Sequence, residues 1–189
     1  FSTSSSSSSK FLTAYNEHVE ERKLEGAGLG IAPKPLDAEQ VSALIDELKV
    51  ADAGKEADDM LSLLTHRVPP GVDEAAYVKA TWLSALANQE EVCQHISRLH
   101  AVELLGTMQG GYNVATLVEL LDDSDTDICS MAATKLSHTL LVFDAFYDVQ
   151  ALHEKGCQHA TTVLESWAKA EWFTLRKEVP AVMTATIYK

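Results

Sequence analysis

Cysteine is scarce in this chain: Cys93, Cys129 and Cys157 are the only three, widely spaced and without a Cys-x-x-Cys pair. That excludes a disulfide framework and a zinc knuckle, and leaves reduced, packed thiols as the reading of all three. Long apolar runs are missing as well. The longest, such as Leu140-Leu141-Val142-Phe143, fall far short of the roughly 20 residues that cross a bilayer as a helix, so no membrane span is expected. Basic residues are outnumbered, 15 Lys and Arg against 28 Asp and Glu, for a formal net charge of −13. Affinity for a phosphate backbone rests on Lys and Arg neutralising it, so nucleic acid is not expected as a partner and protein surfaces are.

What is present is a helical grammar. With 46% hydrophobic and 23% charged residues over 189 positions, the chain has the composition of one globular domain. Phe11, Tyr15 and Val19 lie at i, i+4 and i+8 in a first helix that Gly26, Gly28 and Gly30 end. Asp37 is an N-cap, with Gln40 closing a capping box and Leu36 stapled to Val41, before a helix that turns Val41, Leu44, Ile45 and Leu48 inward. Met60, Leu61 and Leu64 mark a third helix, which Pro69-Pro70-Gly71 stops. Asp73 caps a fourth, with a Val72–Tyr77 staple and Val78, Trp82 and Leu86 on its buried face.

Ser97 caps a fifth helix, carrying Val102 and Leu105. Gly110-Gly111 breaks it, Asn113 is expected to cap the next, and Tyr112 to staple onto Leu117. Asp122 to Asp125 reads as a solvated acidic turn. A helix bearing Ile128, Met131, Ala132, Leu136 and Leu140 is expected from about Asp127 to Val142, a restart at Asp144, and a last helix over about 157–173 with Val163, Trp167 and Ala170 on one face. Eight or nine helices joined by tight turns predict an all-α, HEAT-like stack of helical hairpins over residues 11–173. Residues 1–10 form a Ser-rich segment apart, and residues 174–189 an extended tail that is β-prone from Val182 to Tyr188.

Chemistry-bearing residues do not assemble into a site. His66, His138, His153 and His159 are scattered; His153 and Cys157 stand at i, i+4, a metal-holding spacing, but Gly156 breaks the helix between them and no further ligand follows. Ser137, His138 and Asp144 suggest a hydrolytic trio without a nucleophile elbow. The Gly106-x-x-x-Gly110-Gly111 run lacks the Lys-Ser/Thr of a phosphate loop and follows a helix, so its glycines serve packing and a C-cap. Asp122 to Asp127 lacks the Gly and distal Glu of a calcium loop. Trp82, Trp167 and Trp172 fit core packing, with Trp172 also placed to anchor an interface. No catalytic, metal or cofactor residue is assigned.

The run Leu104-Leu105-Gly106-Thr107-Met108-Gln109-Gly110-Gly111-Tyr112-Asn113, with residues 32–37, 67–80, 137–144 and 166–173 in the same order, resembles the N-terminal domain of the aconitase B family. The resemblance covers roughly residues 11–189 and implies the same HEAT-like fold and a role in protein association. The family's iron–sulfur cluster sits on catalytic domains with a Cys-x-x-Cys pair that this sequence lacks, so no aconitase activity and no cofactor is expected.

The expectation from these readings is a non-catalytic protein–protein interaction module, an accessory subunit of a large membrane-associated organelle complex. The alternatives are a regulatory or separately encoded part of an aconitase B-type enzyme and an accessory subunit of a photosynthetic complex in an algal plastid. The Ser-rich start, with Phe1 and no initiator Met, resembles the remnant of a transit peptide, which places the chain on the mitochondrial matrix side, with a plastid as the alternative. Phe1, Ser4, Lys10, Trp172, Val182, Ile187 and Tyr188 are the expected partner interface, because a Ser tract loses entropy on ordering and a lone β-prone segment seeks a neighbour.

Overall fold

The computed structural model describes residues 9–25, 33–139 and 145–170. Expectations placed on Phe1, Ser4, Trp172, Val182, Ile187 and Tyr188, on the glycines after residue 25, on Leu140 and Asp144, and on the β-prone tail lie outside the described residues. Among those residues there are nine α-helices: α1 (Lys10–Glu25), α2 (Ala38–Val50), α3 (Lys55–His66), α4 (Glu74–Ala87), α5 (Arg98–Leu105), α6 (Val114–Glu119), α7 (Thr126–Ser137), α8 (Phe146–Glu154) and α9 (Gln158–Lys169). A single 3-10 turn, Leu120–Asp122, joins α6 to α7. The fold is all-α.

Sequential helices pair, α2 on α3, α4 on α5 and α8 on α9, and the pairs join through α2–α4, α5–α7 and α7–α9. The result is the expected ladder of helical hairpins around one continuous core. Leu44, Leu48, Leu64, Leu83, Leu105, Leu117, Leu121 and Leu136 are fully buried in it. Removing each such side chain from water contributes about 1.5–3 kcal/mol against the entropy of ordering the chain.

The local start signals hold where they depend only on neighbours. Asp37 accepts from the Gln40 N–H at 2.9 Å while the Gln40 side chain accepts from the Asp37 N–H at 3.1 Å. Asp73 caps α4 through the Ala76 N–H at 3.0 Å, and Ser97 caps α5 through the His100 N–H at 3.2 Å. Ser9 heads α1: its Oγ accepts from the Leu12 N–H and donates to Glu47 of α2, and its N–H donates to Glu56 of α3. Lys10, beside it, is exposed. Phe11 and Tyr15 are buried and stacked at 6.1 Å.

Several expected features differ. Asn113 does not cap α6: its backbone is helical, and its fully buried side chain donates to the carbonyls of Leu105 at 2.7 Å and Met108 at 3.3 Å. It satisfies the orphan carbonyls at the end of α5 instead, which a helix C-terminus in the interior requires. Val72 and Tyr77, the expected staple pair, are both largely exposed, 72% and 56%. The Tyr112 ring stands edge-on to Tyr77, 5.3 Å away, a contact that its expected role as a staple for α6 did not include. The α7 cap is Asp125, which accepts from the Asp127 N–H at 2.9 Å, and the helix stops at Ser137. Nor is the acidic turn merely solvated. Asp123 takes both Arg98 Nη atoms, at 3.0 and 2.5 Å, and these bonds hold its carboxyl below the usual range.

Candidate functional site

The loop after α5 is where a tightly closed backbone contact and an open cleft meet. On its side toward α4 the backbone is locked. The Gln109 N–H donates to the Pro70 carbonyl at 2.7 Å, and the Tyr112 hydroxyl donates to the Val72 carbonyl at 2.9 Å. A Cβ on Gly110 would lie 2.0 Å from the Gly71 carbonyl oxygen, so only glycine permits this approach. Gly111 follows at φ 89°, a left-handed conformation that glycine adopts without steric cost.

On its other side the same glycines border a cleft of about 990 Å³ between α6 and α8. α6 packs on α7 and α8 on α9, so the two helices flank the space rather than filling it. Gly110, Gly111, Ala115, Val118, Ala151 and Leu152 form an apolar lining, in which Ala115 and Ala151 are exposed and Leu152 half-buried. Glu119, Asp122, Asp148 and Lys155 supply the charge, three acids to one base. All four side chains are exposed, and none makes a hydrogen bond or ion pair among the described residues.

Sequence reasoning missed one buried cation. Lys79 of α4 is 3% exposed and has no hydrogen bond or ion pair among the described residues; burial lowers its ammonium to about 8. The signal was available in the spacing, because Ala75, Ala76, Lys79, Ala80, Leu83 and Leu86 recur at helical intervals on one buried face. Lys49, Trp82 and Glu91 form a surface cluster instead. Glu91 takes the Lys49 ammonium at 2.9 Å and the Trp82 indole N–H at 3.0 Å, and its carboxyl is held low chiefly by the Lys49 bond.

Of the other weighed residues, His138, His153, Cys157 and Trp167 have structural partners. The His153 ring nitrogen meets Thr161 Oγ1 at 2.7 Å, and the Cys157 thiol donates to the Leu121 carbonyl at 3.3 Å. His138 bonds the Thr134 carbonyl at 2.8 Å, one turn back on its own helix. Cys93 and Cys129 are buried free thiols, and burial raises that of Cys129. Trp167 donates its indole N–H to the Leu136 carbonyl at 2.8 Å and is core.

Comparison with known proteins matches residues 14–173 to the family described as the aconitate B N-terminal domain. Curated relatives include the aconitate hydratase B of Pseudomonas aeruginosa, 53% identical over 178 residues, which is 94% of this chain and 20% of the relative. The aconitate hydratase B of Escherichia coli is 51% identical and that of Synechocystis 50%, each over the same shares of both chains. The chain thus spans about one fifth of the length of these relatives. Their source overturns the expected mitochondrial location, and the plastid alternative with it: the relatives are bacterial and cyanobacterial, from cells that contain neither organelle. That expectation rested on the Ser-rich composition of residues 1–10, which flexible tails and linkers of any origin share. Matched over most of its length by the family profile and by relatives at about half identity, the chain belongs to the aconitate B N-terminal domain family.

Proposed function

We propose that this chain is a non-catalytic docking module of an aconitate hydratase B-type enzyme, holding the domain's place against the rest of that enzyme or a protein partner of it. The observation that carries this reading is the cleft between α6 and α8, the large concave surface described above. Its lining is apolar and its charge is mostly negative, a combination that repels a small tricarboxylate and suits a protein segment. Stacked helical hairpins present surfaces of this kind to other polypeptides. Two polar side chains near the cleft serve architecture: the Asn113 amide closes the end of α5, and Asp123 clamps Arg98.

Two measurements on the purified chain test the proposal together. After iron and sulfide are supplied, hydration of aconitate is expected to stay at background. Added to an aconitate hydratase B trimmed of its matching N-terminal fifth, the chain is expected to co-sediment with it at a fixed ratio. Turnover by homogeneous chain would sink the non-catalytic reading, and failure to co-sediment would sink the docking one.

A further inference from the structure

We infer that the cleft between α6 and α8 receives an amphipathic helix with a basic polar face, supplied by another polypeptide segment; this names the partner chemistry of the docking surface and so rests on the docking reading. Three observations converge on it. The first is the lining. Gly110, Gly111, Ala115 and Ala151 carry little or no side chain, so a helix can approach the backbone closely and still meet apolar surface. The second is size. A helix about 10 Å across fills roughly 990 Å³ in about 13 Å of its length, which is also the span of the nine residues of α8.

The third is charge. Glu119, Asp122 and Asp148 stand exposed around the cleft against Lys155 alone, and no described residue pairs with them. Lys or Arg on the occupant would meet three carboxylates without an opposing desolvated base. An extended peptide fits less well. Both walls are helices, and the only β pairing among the described residues is the isolated Cys93–Ile96 bridge, so no strand edge is offered to an incoming backbone. A helix satisfies its own N–H and C=O groups and needs none.

The test uses the full 189-residue chain and fluorescein-labelled synthetic peptides. The first peptide is a helix with Leu and Ala at i, i+4 and i+7 and Lys and Arg on the remaining face. One control replaces its Lys and Arg by Glu; another keeps the charge and scrambles the apolar stripe. The basic amphipathic peptide is expected to bind at least tenfold more tightly than either control, and more weakly as salt rises. Glu119→Lys with Asp148→Lys, and separately Ala115→Trp, are each expected to weaken binding at least tenfold while helicity and melting temperature stay at parent values.

Equal binding of the basic peptide and its scrambled form would show attraction by net charge alone and overturn the inference. So would unchanged binding in both variants, or binding that appears only after residues 171–189 are removed, since the cleft would then belong to the chain's own end. If these variants still co-sediment with the trimmed enzyme as the parent does, the cleft assignment fails while the docking reading stands.

Discussion

Toward α4, the loop after α5 is closed by backbone hydrogen bonds and by a contact at Gly110 too tight for any Cβ; toward α8, the same loop borders open space lined by alanine, glycine and unpaired acids. Only a few residues separate the two faces. On the closed face the Gln109 N–H and the Tyr112 hydroxyl bond the carbonyls of Pro70 and Val72, and Gly110 sits where two backbones touch. On the open face small side chains leave surface uncovered, and carboxylates stand without counter-ions. A protein interior fills such gaps, because voids forfeit dispersion contacts. The seam is therefore the part of the loop that holds the fold, and the open face is the part on which the proposed docking rests.

The sharpest way to break this contrast is Gly110→Ala. The added methyl would sit 2.0 Å from the Gly71 oxygen and 2.5 Å from its carbon, backbone atoms that cannot swing aside. Destabilisation of about 2–4 kcal/mol is expected in urea unfolding followed by tryptophan fluorescence. A loss below about 1 kcal/mol would mean that the seam yields easily and that its closure is not what orders the loop.

Lys79→Met asks whether the tight side of the molecule has an exception. The buried ammonium is disfavoured in the folded state, and its folded value near 8 lies below the ordinary 10.5. Between those values the unfolded chain holds more protons than the folded one, so this group's penalty is full below pH 8 and fades as pH rises towards 10.5. Methionine is therefore expected to stabilise by about 1–3 kcal/mol at pH 7, with the gain shrinking at pH 10. A gain independent of pH would assign the effect to packing rather than to charge.

The smallest effect belongs to the open face. Ala115→Gln places a longer polar group at an exposed position in the cleft, and unfolding free energy is expected to change by less than about 0.5 kcal/mol. A loss comparable to that of Gly110→Ala would show that the cleft is already filled, and the comparison would collapse.

Much of the fold was legible because its signals are local. The Asp37–Gln40 box, the Asp73 and Ser97 caps and the apolar stripe Val41, Leu44, Ile45, Leu48 lie within one or two turns of what they determine. Features that join distant elements were not. Asn113 has the composition of a cap, and only the approach of the carbonyls of Leu105 and Met108 reveals what its amide does. Asp123 looks like one acid among several until Arg98, 25 residues earlier, is brought beside it. The Val72–Tyr77 template, in the same way, says nothing of Tyr112, which comes from beyond α5 to meet Tyr77 with an aromatic edge. The cleft left no trace in the sequence at all, since a gap between α6 and α8 is a property of how non-sequential helices stack.

Arg98 gives the ladder of hairpins a mechanical character that its packing alone would lack. Its Nε donates to the Ala87 carbonyl at the end of α4, while both Nη atoms hold Asp123 ahead of α7. In a stack where each helix touches only its neighbours, unravelling can run inward from an end one unit at a time. Here one side chain at the start of α5 joins its own hairpin partner α4 to the turn that leads into α7, so a movement of that turn is felt at the end of α4. Hydrogen exchange is therefore expected to show the end of α4, the start of α5 and the turn before α7 opening together, and Arg98→Ala to separate them.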